Sequence, residues 1–217
     1  MTKNMMKRCM MCIMGLFIAA IGVAITKKAA LGVSPISSVA NVVSMKYMSL
    51  SLGNCLIIWN CILILGQFLL LRSKFQVFEL LQIPLSFLFG WFTDFGLWLV
   101  SSLEVQGYIS QILMVILGTI VLGLGISMTV IADVIMNSGE AFVKALSQVI
   151  KKEFGNVKIV FDVSCVVLAV GISLVLFDAK IVGTREGTII AALLTGVVVK
   201  FFINKLNAPL GKLLREQ

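Results

Sequence analysis

The stretch Gly118-Thr-Ile-Val-Leu-Gly-Leu-Gly-Ile-Ser-Met-Thr-Val-Ile-Ala132 decides the fold in two ways. It closes Val105–Ala132, a run without Asp, Glu, Lys or Arg. A helix needs about 20 such residues to cross a hydrocarbon core of roughly 30 Å. The stretch also has a counterpart. Slid back by 103 residues, Gly118 falls on Gly15, Gly125 on Gly22, Thr129 on Thr26 and Ala132 on Ala29. Ile116 likewise falls on Ile13, and Ser147 on Ser44. Two glycines and a threonine at kept spacing point to an internal duplication.

Five further apolar runs surround this one. Cys9–Thr26 and Tyr47–Leu71 carry no charge. Leu80–Leu103 contains only Asp94, Lys158–Phe177 only Lys158 and Asp162, and Gly187–Asn204 only Lys200. The chain has 217 residues, 59% hydrophobic and 13% charged, where a soluble domain carries about 25% charged residues. The runs are continuous, whereas barrel strands alternate apolar with polar. Helices pair every backbone group internally, as lipid demands. The expected class is an all-α polytopic membrane protein with about six transmembrane helices.

The net charge of +8 is unevenly placed. With the N-terminus inside, the inner segments hold Lys3, Lys7, Arg8, Arg72, Lys74, Lys144, Lys151, Lys152, Lys158, Lys200, Lys205, Lys212 and Arg215. The outer segments hold only Lys27, Lys28, Lys46, Lys180 and Arg185. The positive-inside rule then puts both termini in the cytoplasm. The basic excess meets anionic lipid, not nucleic acid. The start of the chain resembles a signal peptide, but its apolar run is long and more spans follow, so it reads as an uncleaved first span.

The duplication continues beyond the first helices. Gly53-Asn54 falls on Gly155-Asn156, Asn60 on Asp162, Gly90 on Gly196 and Phe95 on Phe201. Residues 1–103 and 104–217 each read as three spans plus one short polar helix, over 34–47 and 137–152. Three is odd, so the second half inserts upside down. The expected architecture is an inverted 3+3 repeat about a pseudo-two-fold axis in the membrane plane, with substrate bound near the midplane. Four spans per half would make the repeats parallel. Asp133, Glu140 and Lys144 argue against a full span there.

The short segments carry the polar residues. Ser34 can cap a helix and Pro35 suits its first turn. Ser34, Ser37, Ser38 and Asn41 then share one helical face. In the second half Asn137 or Ser138 can cap, Glu140 suits the first turn, and Lys144 falls on Asn41. Two re-entrant half-helices would aim their N-termini into a shared cavity. The other reading is two amphipathic helices lying on the membrane surface, with Glu140 and Lys144 an ordinary pair. Half-helix N-termini favour an anionic group; Glu140 and Asp162 favour a cation or proton.

Ionisable residues within spans are functional candidates. Asp162 shares its repeat position with Asn60. Asp94 is either a coupling carboxylate or an interfacial residue near a span end. Lys158 can pair with Asp162 four residues on. Arg185 and Glu186 start the last helix, as a gate or a cap. There is no His, and Cys9-Met-Met-Cys12 alone is weak metal-site evidence. No HExxH, GxSxG or Walker A sequence occurs. We expect no catalytic residues, no metal and no cofactor.

Leu31-Gly-Val-Ser-Pro35, Ser51-Leu-Gly53, Gly90-Trp-Phe-Thr-Asp94 and Gly183-Thr-Arg-Glu-Gly-Thr-Ile-Ile190 followed by Gly196 resemble the YczE/YyaS/YitT family of bacterial membrane proteins. The resemblance covers nearly the whole chain. It implies a small multi-pass protein of the bacterial plasma membrane with no assigned reaction and no catalytic residues. Where that family carries a Gly-Pro-like turn in its second half, this chain has Asn137-Ser-Gly139.

The expected function is a small secondary transporter or exporter of a polar or charged solute. The alternative is a non-transporting scaffold or partner subunit of another membrane complex. The expected surroundings are the lipid bilayer and a small-molecule or ion substrate. A homodimer is compatible with the sequence; an enzyme is not expected.

Overall fold

A computed structural model describes residues 3–215. The side chains of Lys3, Phe154 and residues 211–215 lie outside the described residues, as do 1, 2, 216 and 217. Three basic positions counted above, Lys3, Lys212 and Arg215, are therefore known by backbone alone.

The chain is an all-α polytopic membrane protein. Its helices are α1 (Lys3–Lys28), α2 (Pro35–Lys46), α3 (Leu52–Leu71), α4 (Gln82–Leu99), α5 (Tyr108–Ala132), α6 (Ser138–Ile150), α7 (Phe154–Leu176) and α8 (Glu186–Arg215). Short 3₁₀ turns at Arg72–Lys74 and Val77–Leu81 lead into α4. Six helices, α4 counted with its leading turn, are long and apolar enough to cross a membrane. With 12 and 13 residues, α2 and α6 reach about 18–20 Å and cannot. Nor do they lie on a surface: seven of the twelve α2 residues are buried, from Pro35 through Val42. In α6, Ser138, Gly139, Glu140, Val143 and Ala145 are buried.

The spans agree with the apolar runs to within six residues at every end but that of α8. α5 starts at Tyr108, not Val105, because Gly107 breaks the chain at φ +84°. α8 continues past Asn204 to Arg215, through Pro209.

α1 and α5 form the central seam. Here the glycines that mark the duplication meet. A methyl group at Gly22 would lie 2.7 Å from Leu122 Cα and 2.8 Å from the Gly118 carbonyl oxygen. One at Gly125 would lie 2.5 Å from the Gly15 carbonyl oxygen. Gly15 thus faces Gly125, and Gly22 faces Gly118. Small residues let helix backbones approach this closely in lipid, where no hydrophobic force drives helices together. α4 packs on α1, and α8 on α5. Each short helix packs on spans of both halves: α2 on α3 and α7, α6 on α7 and α3.

Both central helices stop in the same way. Ala30 (φ +58°) and Asp133 (φ +48°) are left-handed, and their N–H groups donate to the Lys27 and Val130 carbonyls at 3.1 and 3.2 Å. Both pairs are 103 apart. A left-handed residue ends a helix, and glycine adopts that conformation most readily. Ala30→Gly should therefore raise stability by about 1 kcal/mol, read as a higher unfolding midpoint in detergent. A lowered midpoint would show that the Ala30 side chain is needed there.

Candidate functional site

After α1 the chain turns back into the bundle. Leu31 and Val33 are buried, and Ser34-Pro35 begins α2 deep inside. α6 begins likewise after Asn137, whose Oδ1 accepts from the Ser138 N–H at 3.1 Å. Ser34 does not cap α2 with its side chain; its hydroxyl donates to Ser37 Oγ at 2.9 Å. The two N-terminal turns meet. A methyl group at Gly139 would lie 2.8 Å from Ile36 Cδ1.

Between them is a cavity of about 40 Å³ to which all eight helices contribute. Its lining repeats. Ala19 and Leu122, Val23 and Ile126, Ser34 and Asn137, and Ser37 and Glu140 are lining pairs at the 103 offset. Leu56 and Lys158, and Asn60 and Asp162, are pairs in the register of Gly53 and Gly155. Phe89 and Thr195 are a pair in the register of Gly90 and Gly196. Of the lining, only Pro35 and Ile36 have mates outside it.

The chemistry is one-sided. The first half supplies neutral groups: Ser34, Ser37, Leu56, Asn60 and Phe89. The second supplies Glu140, Lys158 and Asp162. Lys158 Nζ donates to Asp162 Oδ1 at 2.5 Å, one helical turn apart on α7. Glu140 and Asp162 are 7% and 8% exposed. Among the described residues, Glu140 Oε2 and Asn60 Nδ2 are buried polar atoms without a hydrogen-bond partner. An unsatisfied buried polar atom costs about 1–3 kcal/mol, more when charged. Two such atoms belong to residues that line this one cavity.

Of the other sequence candidates, Ser38 is buried and donates to the Pro35 carbonyl at 2.5 Å and to the Cys165 carbonyl at 3.5 Å. It fixes α2 against α7 instead of lining the cavity. Asn41 Nδ2 donates to the Gly183 carbonyl at 2.6 Å, and its Oδ1 accepts from Lys27 Nζ. Asp94 accepts from Ser51 Oγ at 2.5 Å and from the Gly53 N–H at 2.8 Å. It ties α4 to the first turn of α3. Arg185 and Glu186 form an exposed ion pair at 3.5 Å. The turn they occupy abuts the one after α1: a methyl group at Gly187 would lie 2.6 Å from the Leu31 carbonyl oxygen.

Lys144 is exposed and lines a second, larger cavity of about 370 Å³. That vestibule lies at the end of the bundle where α5 stops, among Lys74, Glu79, Thr129, Asp133 and Gln148. Gln67 and Gln82 line its inner wall. They exchange reciprocal hydrogen bonds of 3.0 and 3.1 Å, and Gln67 also donates to the Ser138 carbonyl at 3.2 Å. Ser86 Oγ lies 3.2 Å from Ser138 Oγ. Gln67, Gln82, Ser86 and Thr195 were not legible in the sequence, because single Gln, Ser and Thr residues in apolar runs carry no charge to flag them. Lys158 was seen there only as a structural partner.

At the opposite end the equivalent residues Thr26, Ser38, Asn41 and Val42 are buried. The α7–α8 connection is held there by Ser173 Oγ, which donates to the Lys180 carbonyl at 2.9 Å and accepts from the Val182 N–H at 2.7 Å. Asn41 holds Gly183 beside it.

No curated protein and no solved structure matches the chain. One protein family does, over residues 6–204, a range that takes in the spans with α8 as far as Asn204, both short helices and every residue of the cavity. The chain belongs to that family, DUF6198, a family of unknown function.

Proposed function

We propose that this protein is a small secondary transporter of the bacterial plasma membrane, with both termini cytoplasmic and its substrate site in the cavity where α2 and α6 meet. The observation that carries this reading is the pairing of the lining. Seven pairs of equivalent residues around one point are what a two-fold axis through that point produces. The halves are then inverted repeats, and the binding site lies on their axis near the midplane. The cross-packing of each short helix on spans of both halves supports the same symmetry.

The two ends support alternating access. One end carries the open vestibule beside Lys144, and the equivalent space around Asn41 is closed. Inverted repeats exchange such conformations by adopting each other's shape. With the termini inside, the open end faces the cytoplasm. The resemblance to the YczE/YyaS/YitT family belongs to the same proposal and adds no substrate. The scaffold alternative places polar stripes against a partner. Here the polar face of α2 turns inward, while the outward residues of α8, such as Leu193, Val197 and Phe201, are apolar.

The test is flux into proteoliposomes across a panel of small ions and solutes. Asp162→Asn and Glu140→Gln should each lower it about ten- to a hundredfold, as loss of a charged hydrogen-bonding group worth about 1.5–3 kcal/mol requires. Full flux in both variants would end the assignment of this cavity to the pathway.

A further inference from the structure

We infer that the central cavity is a monovalent-cation site, and that the Lys158 ammonium occupies Asp162 until the ion arrives. The transport reading gives this site its use, but cation binding can be tested without transport.

Charge is the first argument. With both carboxyls ionised, Glu140, Asp162 and Lys158 leave one negative charge between them. A monovalent cation neutralises it; an anion would double it in a setting of low dielectric. The half-helix N-termini do not reverse this. Glu140 sits in the first turn of α6 and already answers that dipole with its own carboxylate.

Donor chemistry is the second. Glu140 Oε2 is buried and without a partner. Ser34 and Ser37 add hydroxyls, and Asn60 adds an amide whose oxygen faces the cavity after half a turn. These are hard oxygen donors. Among the described residues, no group of three or more His, Cys, Asp or Glu gathers to hold a metal ion. Calcium takes six to eight oxygens and magnesium a strict octahedron, so two carboxylates facing an ammonium suit a single charge.

Size is the third. About 40 Å³ holds roughly three water-sized bodies at 10–15 Å³ each. A sodium or potassium ion with a water fits; choline does not.

The experiment is thermal unfolding of the purified full chain in detergent, in lithium, sodium, potassium or choline chloride at equal ionic strength. A bound ion stabilises the folded state by mass action. At least one small cation should raise the midpoint above that in choline. Glu140→Gln and Asp162→Asn should remove the increment. Lys158→Gln should unfold earlier in choline, then respond at an about tenfold lower cation concentration, having lost the competing charge. The neutral pair Lys158→Gln/Asp162→Asn should fold without responding. Wild type and Lys158→Gln that both ignore cation identity would overturn the inference, as would a cation increment retained in both Glu140→Gln and Asp162→Asn. Cation binding with no flux of any solute into vesicles would keep this site and end the transport reading. Flux of another solute with no cation response would do the reverse.

Discussion

Gly22→Leu should leave no folded protein to purify, and Gly125→Leu should do the same. At each position even a methyl group overlaps the backbone of the facing helix, at Leu122 and at Ala19 respectively. Backbone cannot rotate aside as a flexible side chain can. α1 and α5 would have to separate along their whole seam. Extra methylenes in a well-packed core cost about 1–3 kcal/mol when side chains alone must yield. Here three more carbons follow the first, against a total stability on the order of 5–15 kcal/mol. The measurement is a monodisperse peak on size exclusion after detergent extraction. Gly171→Leu is the matched control: among the described residues nothing lies within 4 Å of its added Cβ. It should fold as wild type does. A Gly22→Leu protein with a wild-type peak and midpoint would show that the seam is not close-packed in the membrane.

The kept glycine spacing was legible in the sequence because that seam enforces it. Gly15, Gly22, Gly118 and Gly125 keep their spacing because each faces a backbone. Thr26 shares in the contact, its backbone nitrogen lying 2.9 Å from a methyl group placed at Gly118. Six spans followed from charge-free runs, because lipid excludes charge wherever protein does not cover it. The burial of α2 and α6 was less legible. Ser37, Ser38 and Asn41 read equally well as a wet face and as a lining. The burial of all three decides against the wet face, and only Ser37 of them lines the cavity.

The site itself was half legible. Asn60 matched with Asp162 gave one lining pair, and Ser37 with Glu140 another. Leu56 with Lys158 was hidden, because a leucine gives no sign that its mate carries an ammonium. The bonds of Asp94 were hidden for a related reason: the donors to its carboxylate, Ser51 and Gly53, lie 41 to 43 positions away in sequence. Gly196 carries less than its match: a methyl group at Gly90 would lie 2.7 Å from the Gly53 carbonyl oxygen, yet among the described residues nothing lies within 4 Å of one placed at Gly196. α3 and α4 cross tightly where α7 and α8 do not, so equivalent glycines have unequal work.

Asn41→Leu should exchange the accessibility of the two ends. Asn41 is the bolt at the closed end, accepting from the half-buried Lys27 and donating to Gly183. Its repeat mate, Lys144, stands exposed in the vestibule with Val130 in the place of Lys27. Leucine keeps the volume and makes neither bond. The loss, one charge-assisted bond and one neutral bond, comes to about 3 kcal/mol, or roughly a hundredfold in a two-state ratio. Ser38 and Ala141 are mates at the 103 offset and report the two ends. Ser38 is sealed beneath the bolt, and Ala141 lines the vestibule. In a background with the five native cysteines replaced, Ala141→Cys should react with a maleimide from the vestibule side, and Ser38→Cys should not react from either. Asn41→Leu should make Ser38→Cys reactive from its own end and slow Ala141→Cys by a similar factor. The second change is the decisive one. If the bolt merely holds a loop in place, its loss exposes Ser38 and leaves Ala141 as it was. If the ends belong to one two-state element, opening one closes the other, because the same helices line both.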